Sequence, residues 1–139
     1  VLSIDNALYL DGLSDDEQPG IDTRKVDGVD GRASDQQLLE HYITIINQLG
    51  GQTGGHWKFA VCIADGKGQV FEHTIASPRY FVAQPSKTMI PGYPLESIQI
   101  DPQSGKYVSE MTKEEQDTFW QRMIGEALCG FVAEVLAKI

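Results

Sequence analysis

Two long apolar runs joined by a four-residue turn constrain this chain more than any other feature. His56–Ala64 alternates, with Trp57, Phe59, Val61 and Ile63 on one side, and Gln69–Ala83 returns as a second long strand. Between them Asp65-Gly66-Lys67-Gly68 has the composition of a tight hairpin turn. A hairpin of this length needs a cover for its apolar face. The C-terminal stretch supplies one: Phe119, Met123, Ala127, Phe131 and Val135 recur at i+4, flanked by Trp120, Ile124, Leu128 and Val132. A stripe that wide predicts a helix packed across a sheet, with its aromatic residues in the core.

The remaining elements are legible in the same way. Leu2–Leu13 is apolar enough for a buried strand, and Ser14–Gly31, with Pro19-Gly20 and two Asp-Gly pairs, reads as a loop. Ser34 caps a helix whose Leu38, Leu39, Tyr42, Ile45, Ile46 and Leu49 form one stripe, ended by Gly50-Gly51. Gln84–Pro94 carries Pro85, Pro91 and Pro94 and is irregular, and Leu95–Ile100 alternates as a short strand. Thr112-Lys113-Glu114-Glu115 is a capping box opening the last helix. The pattern is α/β, in a chain of 139 residues that makes one domain.

A net charge of −9 with no clustered Lys or Arg disfavours a nucleic-acid polymer as partner. A small phosphorylated ligand remains open, because Mg²⁺ bridges phosphates to carboxylates. No apolar run approaches the roughly 18 residues of a membrane helix. Cys62 and Cys129 lie among apolar neighbours and read as two buried free thiols, which points to a reducing, cytoplasmic setting. Gly66-Lys67 and Gly105-Lys106 lack the rest of a phosphate-binding P-loop, and His41, His56 and His73 have no zinc spacing.

A set of short motifs, taken in order, resembles the inosine triphosphate pyrophosphatase family. Ile4-Asp5-Asn6-Ala7-Leu8 is similar to its acidic "(D/E)-D-(S/T)-G-L" strand, and Pro19-Gly20-Ile21-Asp22-Thr23-Arg24 to its "P-G-x-Y-S" turn. Lys58-Phe59-Ala60-Val61-Cys62 resembles "R-F-x-C-V", Gly92-Tyr93 falls at "G-Y-D-P", and Ser109–Glu115 resembles "A-E-M-x-x-E-E". The resemblance implies a long, twisted, mixed sheet with flanking helices, and a homodimer. It also implies that the chain is a piece of a longer polypeptide, without the family's N-terminal strand and helix.

The activity implied is Mg²⁺-dependent hydrolysis of a nucleoside triphosphate to the monophosphate and pyrophosphate. Such a reaction asks for a carboxylate at the metal or the attacking water and cations on the phosphate oxygens. By the resemblance, Asp5 is the catalytic and metal-organising acid, while Arg122, Tyr93, Gly92 and Lys25 contact the substrate. Departures are specific. Ile4 replaces a second acid, Pro94 follows Tyr93 where an Asp would stand, and Gln116 and Gln121 occupy Lys and His positions of the family's "E-K-x-x-x-S-H-R". Two readings follow: a divergent pyrophosphatase with altered base preference, or a non-catalytic relative acting as a nucleotide-binding or dimeric interaction module.

Overall fold

The computed structural model describes residues 1–139. Strand β1 (Leu2–Leu10), helix α1 (Asp35–Gln48), strands β2 (Gln52–Ala64), β3 (Val70–Val82) and β4 (Gln99–Ile100), and helices α2 (Lys113–Trp120) and α3 (Glu126–Lys138) follow in chain order. The sheet order is β1-β2-β3-β4, and every pairing is antiparallel. The α/β class and flanking helices are those the sequence leads one to expect; only β2 and β3 are joined by a tight turn, whereas α1 lies between β1 and β2 and residues 83–98 lie between β3 and β4.

The β2–β3 hairpin is the spine of the molecule. Its turn closes because the Asp65 carboxylate accepts the Lys67 and Gln69 amides at 2.8 and 2.9 Å, with Gly68 at φ 85°. Thirteen residue pairs then run in register from Ala64↔Val70 to Gln52↔Val82. On the face shared by Trp57, Phe59 and Val61, the opposing residues are Ser77, Ile75 and His73.

Two separate apolar cores sit on the sheet. Leu8, Leu10 and Phe81 pack with Leu38, Leu39, Tyr42 and Ile46 of α1 and with Leu95 and Ile98. Phe59, Val61 and Ile75 pack with Phe131 and Val135 of α3. Helix α1 starts at a capping box in which Ser34 and Gln37 exchange side-chain-to-backbone bonds. Its end at Gly50 and Gly51 uses φ 99° and 92°, open only to glycine at little cost. Thr112 and Glu115 form the second capping box.

Cys62 is only half-buried and Cys129 is exposed, so neither is the buried thiol expected from its apolar neighbours, and three local expectations about the backbone change. Leu95–Ile100 is a 3₁₀ turn over Pro94–Ile98 followed by the two-residue β4, because Pro94 and the burial of Leu95, Ser97 and Ile98 hold the chain compact rather than extended. The C-terminal stripe is not one α-helix: a π turn over Gln121–Gly125 separates α2 from α3, and only Phe119, Phe131 and Val135 of the stripe are fully buried. Finally, β1 is an edge strand that stops at Leu10, with Leu2 and Ile4 exposed and only Ala7, Leu8 and Leu10 buried. No helix is long and apolar enough to cross a membrane.

Candidate functional site

Between the two cores the sheet is left uncovered, and a cavity of about 730 Å³ opens there. Its floor and walls combine Asp5 and Asn6 of β1, Trp57 and Phe59 of β2, Trp120 at the end of α2, and the Gly92–Gln99 segment. Arg24 and Arg32, from the loop before α1, complete the rim. The arrangement is aromatic inside, cationic along one side and acidic at Asp5 and Glu96.

The Gly92-Tyr93 turn is held in place by a three-member clamp. Gly92, at φ 84°, donates its amide to Asp35 Oδ2 at 2.8 Å, and its carbonyl accepts from Arg24 Nη2 at 2.5 Å. Arg24 Nη1 stands 3.5 Å from Asp35 Oδ1. The first residue of α1 thus ties the loop before the helix to the loop after β3. Tyr93, which the turn presents beside the cavity, is exposed, so its ring is free to stack on a planar ligand.

Asp5 lies on the exposed part of β1, opposite Ala60, and its Oδ1 accepts the Asn6 amide at 2.8 Å. No group of three or more His, Cys, Asp or Glu side chains is placed to hold a metal ion. The donor set therefore does not make a protein-only metal site. It suits a Mg²⁺ carried largely by phosphate oxygens and water, to which Asp5 would add one carboxylate.

The residues singled out from sequence separate in space. Asp5, Gly92 and Tyr93 line the one cavity. Lys25 lines a shallower neighbouring depression that shares Ile21, Arg24 and Arg32 with it, and pairs with Asp22 at 3.5 Å. Arg122 does not line the cavity. It donates from Nη2 to Asp101 Oδ1 at 2.9 Å, reaches Gln103 Oε1, and lies over the Phe119 ring. Asp101 is buried; burial pushes its carboxyl up, but the Gln103 amide, Arg122 and Ser104 together outweigh that and hold it below the usual range.

Sequence reasoning passes over Arg79, Glu96, Arg32, Trp57 and Trp120 as a group. Arg79 is 6% exposed, and its guanidinium lies over the rings of Phe119 and Trp120 at 5.0 and 5.3 Å. Its Nη1 donates to Ser77 Oγ and the Pro78 carbonyl, whereas Nε and Nη2 are buried without a partner. Burial drives its pKa down to about 10, with Glu96 opposing and Arg122 reinforcing the shift. Glu96 is pushed the other way, upward, by burial, and Arg79 restrains that rise. The available signal was a charged residue inside each of two otherwise apolar segments, Ser77–Val82 and Pro94–Ile98.

No protein-family model matches the chain, and no curated protein sequence matches it. Solved structures do. A nucleoside-triphosphatase/dITP/XTP pyrophosphatase from Mycobacterium abscessus superposes with a TM-score of 0.70 at 16% identity, over 92% of this chain and 65% of that one. The Ham1 protein of Staphylococcus aureus gives 0.60 at 18% identity, over 96% and 67%. A HAM1 protein from Coxiella burnetii gives 0.67 at 15%, over 99% and 67%. The chain spans about two thirds of the length of each. Nearly the whole of this chain therefore carries the fold of the Ham1 and dITP/XTP pyrophosphatase structures.

Proposed function

We propose that the cavity between the two cores binds a nucleoside 5′-triphosphate, and that the protein is a divergent pyrophosphatase cleaving it to the monophosphate and pyrophosphate. The observation that carries this reading is the convergence of Asp5, Tyr93, Arg24 and Arg32 on one cavity of about 730 Å³, a volume suited to a ligand of nucleotide size. The likeness to structures of a dITP/XTP pyrophosphatase supports it at the level of fold.

In this reading the ring of Tyr93 and the indoles of Trp57 and Trp120 take the base between apolar faces. Arg32, for which the structure records no ion pair, and Arg24, partly engaged with Asp35, face the phosphates. Asp5 stands where a carboxylate would orient the attacking water or join the metal. Mg²⁺, when bound with the triphosphate, would neutralise its oxygens and so assist departure of pyrophosphate. A homodimer in the cytoplasm belongs to the same proposal, drawn from the family resemblance.

The test is pyrophosphate release from a panel of standard and deaminated nucleoside triphosphates, with and without Mg²⁺. Metal-dependent turnover that disappears in Asp5→Asn, while binding persists, is the expected result. Undiminished turnover in Asp5→Asn would overturn the role of Asp5. A second reading is favoured by two specific observations: Asp5 has Ile4, not a second acid, beside it, and Arg122 is committed to Asp101. Under that reading the protein binds nucleotide without cleaving it, and tight binding with no pyrophosphate release would select it.

A further inference from the structure

Glu96 is a half-buried carboxylate that lines the cavity and takes part in no hydrogen bond or ion pair within the chain. Its backbone is rigidly placed. Leu95 and Ile98 on either side are in the α1 core, Ser97 Oγ donates to the Pro94 carbonyl at 2.6 Å, and the Ser97 carbonyl accepts from the Ser86 amide at 2.8 Å. An acid fixed in such surroundings with its lone pairs unused is poised for a ligand that brings donors.

Its neighbour reinforces the pattern. Gln99 is 5% exposed and also lines the cavity; one N–H of its Nε2 donates to the Leu95 carbonyl, and its Oε1 takes part in no hydrogen bond within the chain. Arg79 attracts Glu96 electrostatically without forming an ion pair with it, because its Nη1 is turned to Ser77 and Pro78. Burial pushes the Glu96 carboxyl upward, and the Arg79 cation restrains that rise while leaving the carboxylate oxygens free. One wall of the cavity thus presents the Glu96 carboxylate as its unpartnered acceptor, beside aromatic faces that accept any base alike.

Resting on the nucleotide reading above, we infer that Glu96, backed by Arg79, selects a nucleobase edge carrying two adjacent N–H donors. Guanine offers such an edge through N1–H and its 2-amino group, and an ionised carboxylate accepts both. Hypoxanthine offers N1–H alone. Adenine places a ring nitrogen lone pair at the same point, where it meets the carboxylate with repulsion. The protein accordingly prefers guanosine to adenosine triphosphate by roughly tenfold to a hundredfold, the range of a well-formed bidentate contact, with inosine triphosphate between them.

Calorimetric titration of the protein with GTP, ITP, ATP and inorganic tripolyphosphate in Mg²⁺ buffer tests this, beside the near-isosteric Glu96→Gln. The expected affinity order is GTP, ITP, ATP. Gln at this position offers one acceptor and one donor, so Glu96→Gln narrows the GTP-to-ATP ratio to below about threefold or reverses it. Tripolyphosphate binding stays unchanged. Equal affinity of the wild-type protein for the three nucleotides, or a GTP-to-ATP ratio undiminished in Glu96→Gln, overturns the assignment of Glu96 while the tripolyphosphate result leaves the phosphate side standing. If neither nucleotide nor tripolyphosphate binds, the nucleotide reading falls and this inference with it.

Discussion

Replacing Arg79 by Met should leave the protein as stable as before or make it more so, although Arg79 is among the most buried polar residues of the chain. A guanidinium whose pKa is driven by burial well below its ordinary value, to about 10, occupies surroundings that disfavour its charged form by about 3 kcal/mol. Because the folded value lies below the unfolded one, that penalty is in force at all pH values under about 10, neutral pH included. On the favourable side stand the two bonds of Nη1 and the stacking over Phe119 and Trp120, together worth about 2–4 kcal/mol. Nε and Nη2 recover nothing, since both are buried without partners. The two sides nearly cancel. Met keeps the stem, restores sulfur contact with the two rings and leaves no orphaned donor, so the change should fall between about 1 kcal/mol loss and about 2 kcal/mol gain. Arg79→Ala, which empties the space between sheet and α2, should lose about 2–4 kcal/mol. Urea unfolding with m unchanged reads both. A loss of more than about 2 kcal/mol in Arg79→Met would refute the reasoning and make the guanidinium a net structural asset. The expected result would instead mark Arg79 as a group kept for what it does to Glu96.

Three further outcomes are expected. Asp101→Asn should lose about 1–2 kcal/mol at pH 7, because a charge-assisted bond from the half-exposed Arg122 and the bond to Ser104 weaken together. Since the folded Asp101 carboxyl titrates below its ordinary value, its contribution is complete above that value and disappears as pH falls through the lower, folded one. The gap between wild type and Asp101→Asn should therefore be wide at pH 7 and narrow toward pH 3 in urea midpoints; a constant gap would contradict the pairing. Thr112→Ala removes the acceptor for the Glu115 amide and should lower stability by about 1 kcal/mol, with the effect of Ser34→Ala on α1 of the same size. Asp35→Ala breaks both contacts that Asp35 makes in the clamp, so the Gly92 amide should lose its hydrogen-exchange protection while Ile46 in the α1 core keeps its own; protection retained at Gly92 would show that the turn does not depend on the clamp.

What was readable in the linear chain was whatever depends on neighbours in sequence. Alternation and an Asp-Gly turn specify the β2–β3 hairpin, i+3 and i+4 spacing specifies α1, and Ser34 and Thr112 mark helix starts because a cap acts over three residues. The motif order leading to the pyrophosphatase resemblance was local in the same sense, and the fold it implied is the one found. Tertiary structure decided the rest. Whether Arg122 faces a ligand depended on Asp101, 21 residues away, and the fate of Pro94–Ile98 depended on which core would bury Leu95 and Ile98. The cavity itself exists because α1 and α3 cover opposite ends of one sheet and leave its middle open. The clamp that positions Tyr93 spans 57 and 68 residues, and the approach of Arg79 to Glu96 requires β3 and the 3₁₀ turn to meet. Periodicity in sequence records which face of an element is buried, not which distant element buries it, and contacts between charged groups on different elements leave no periodic trace.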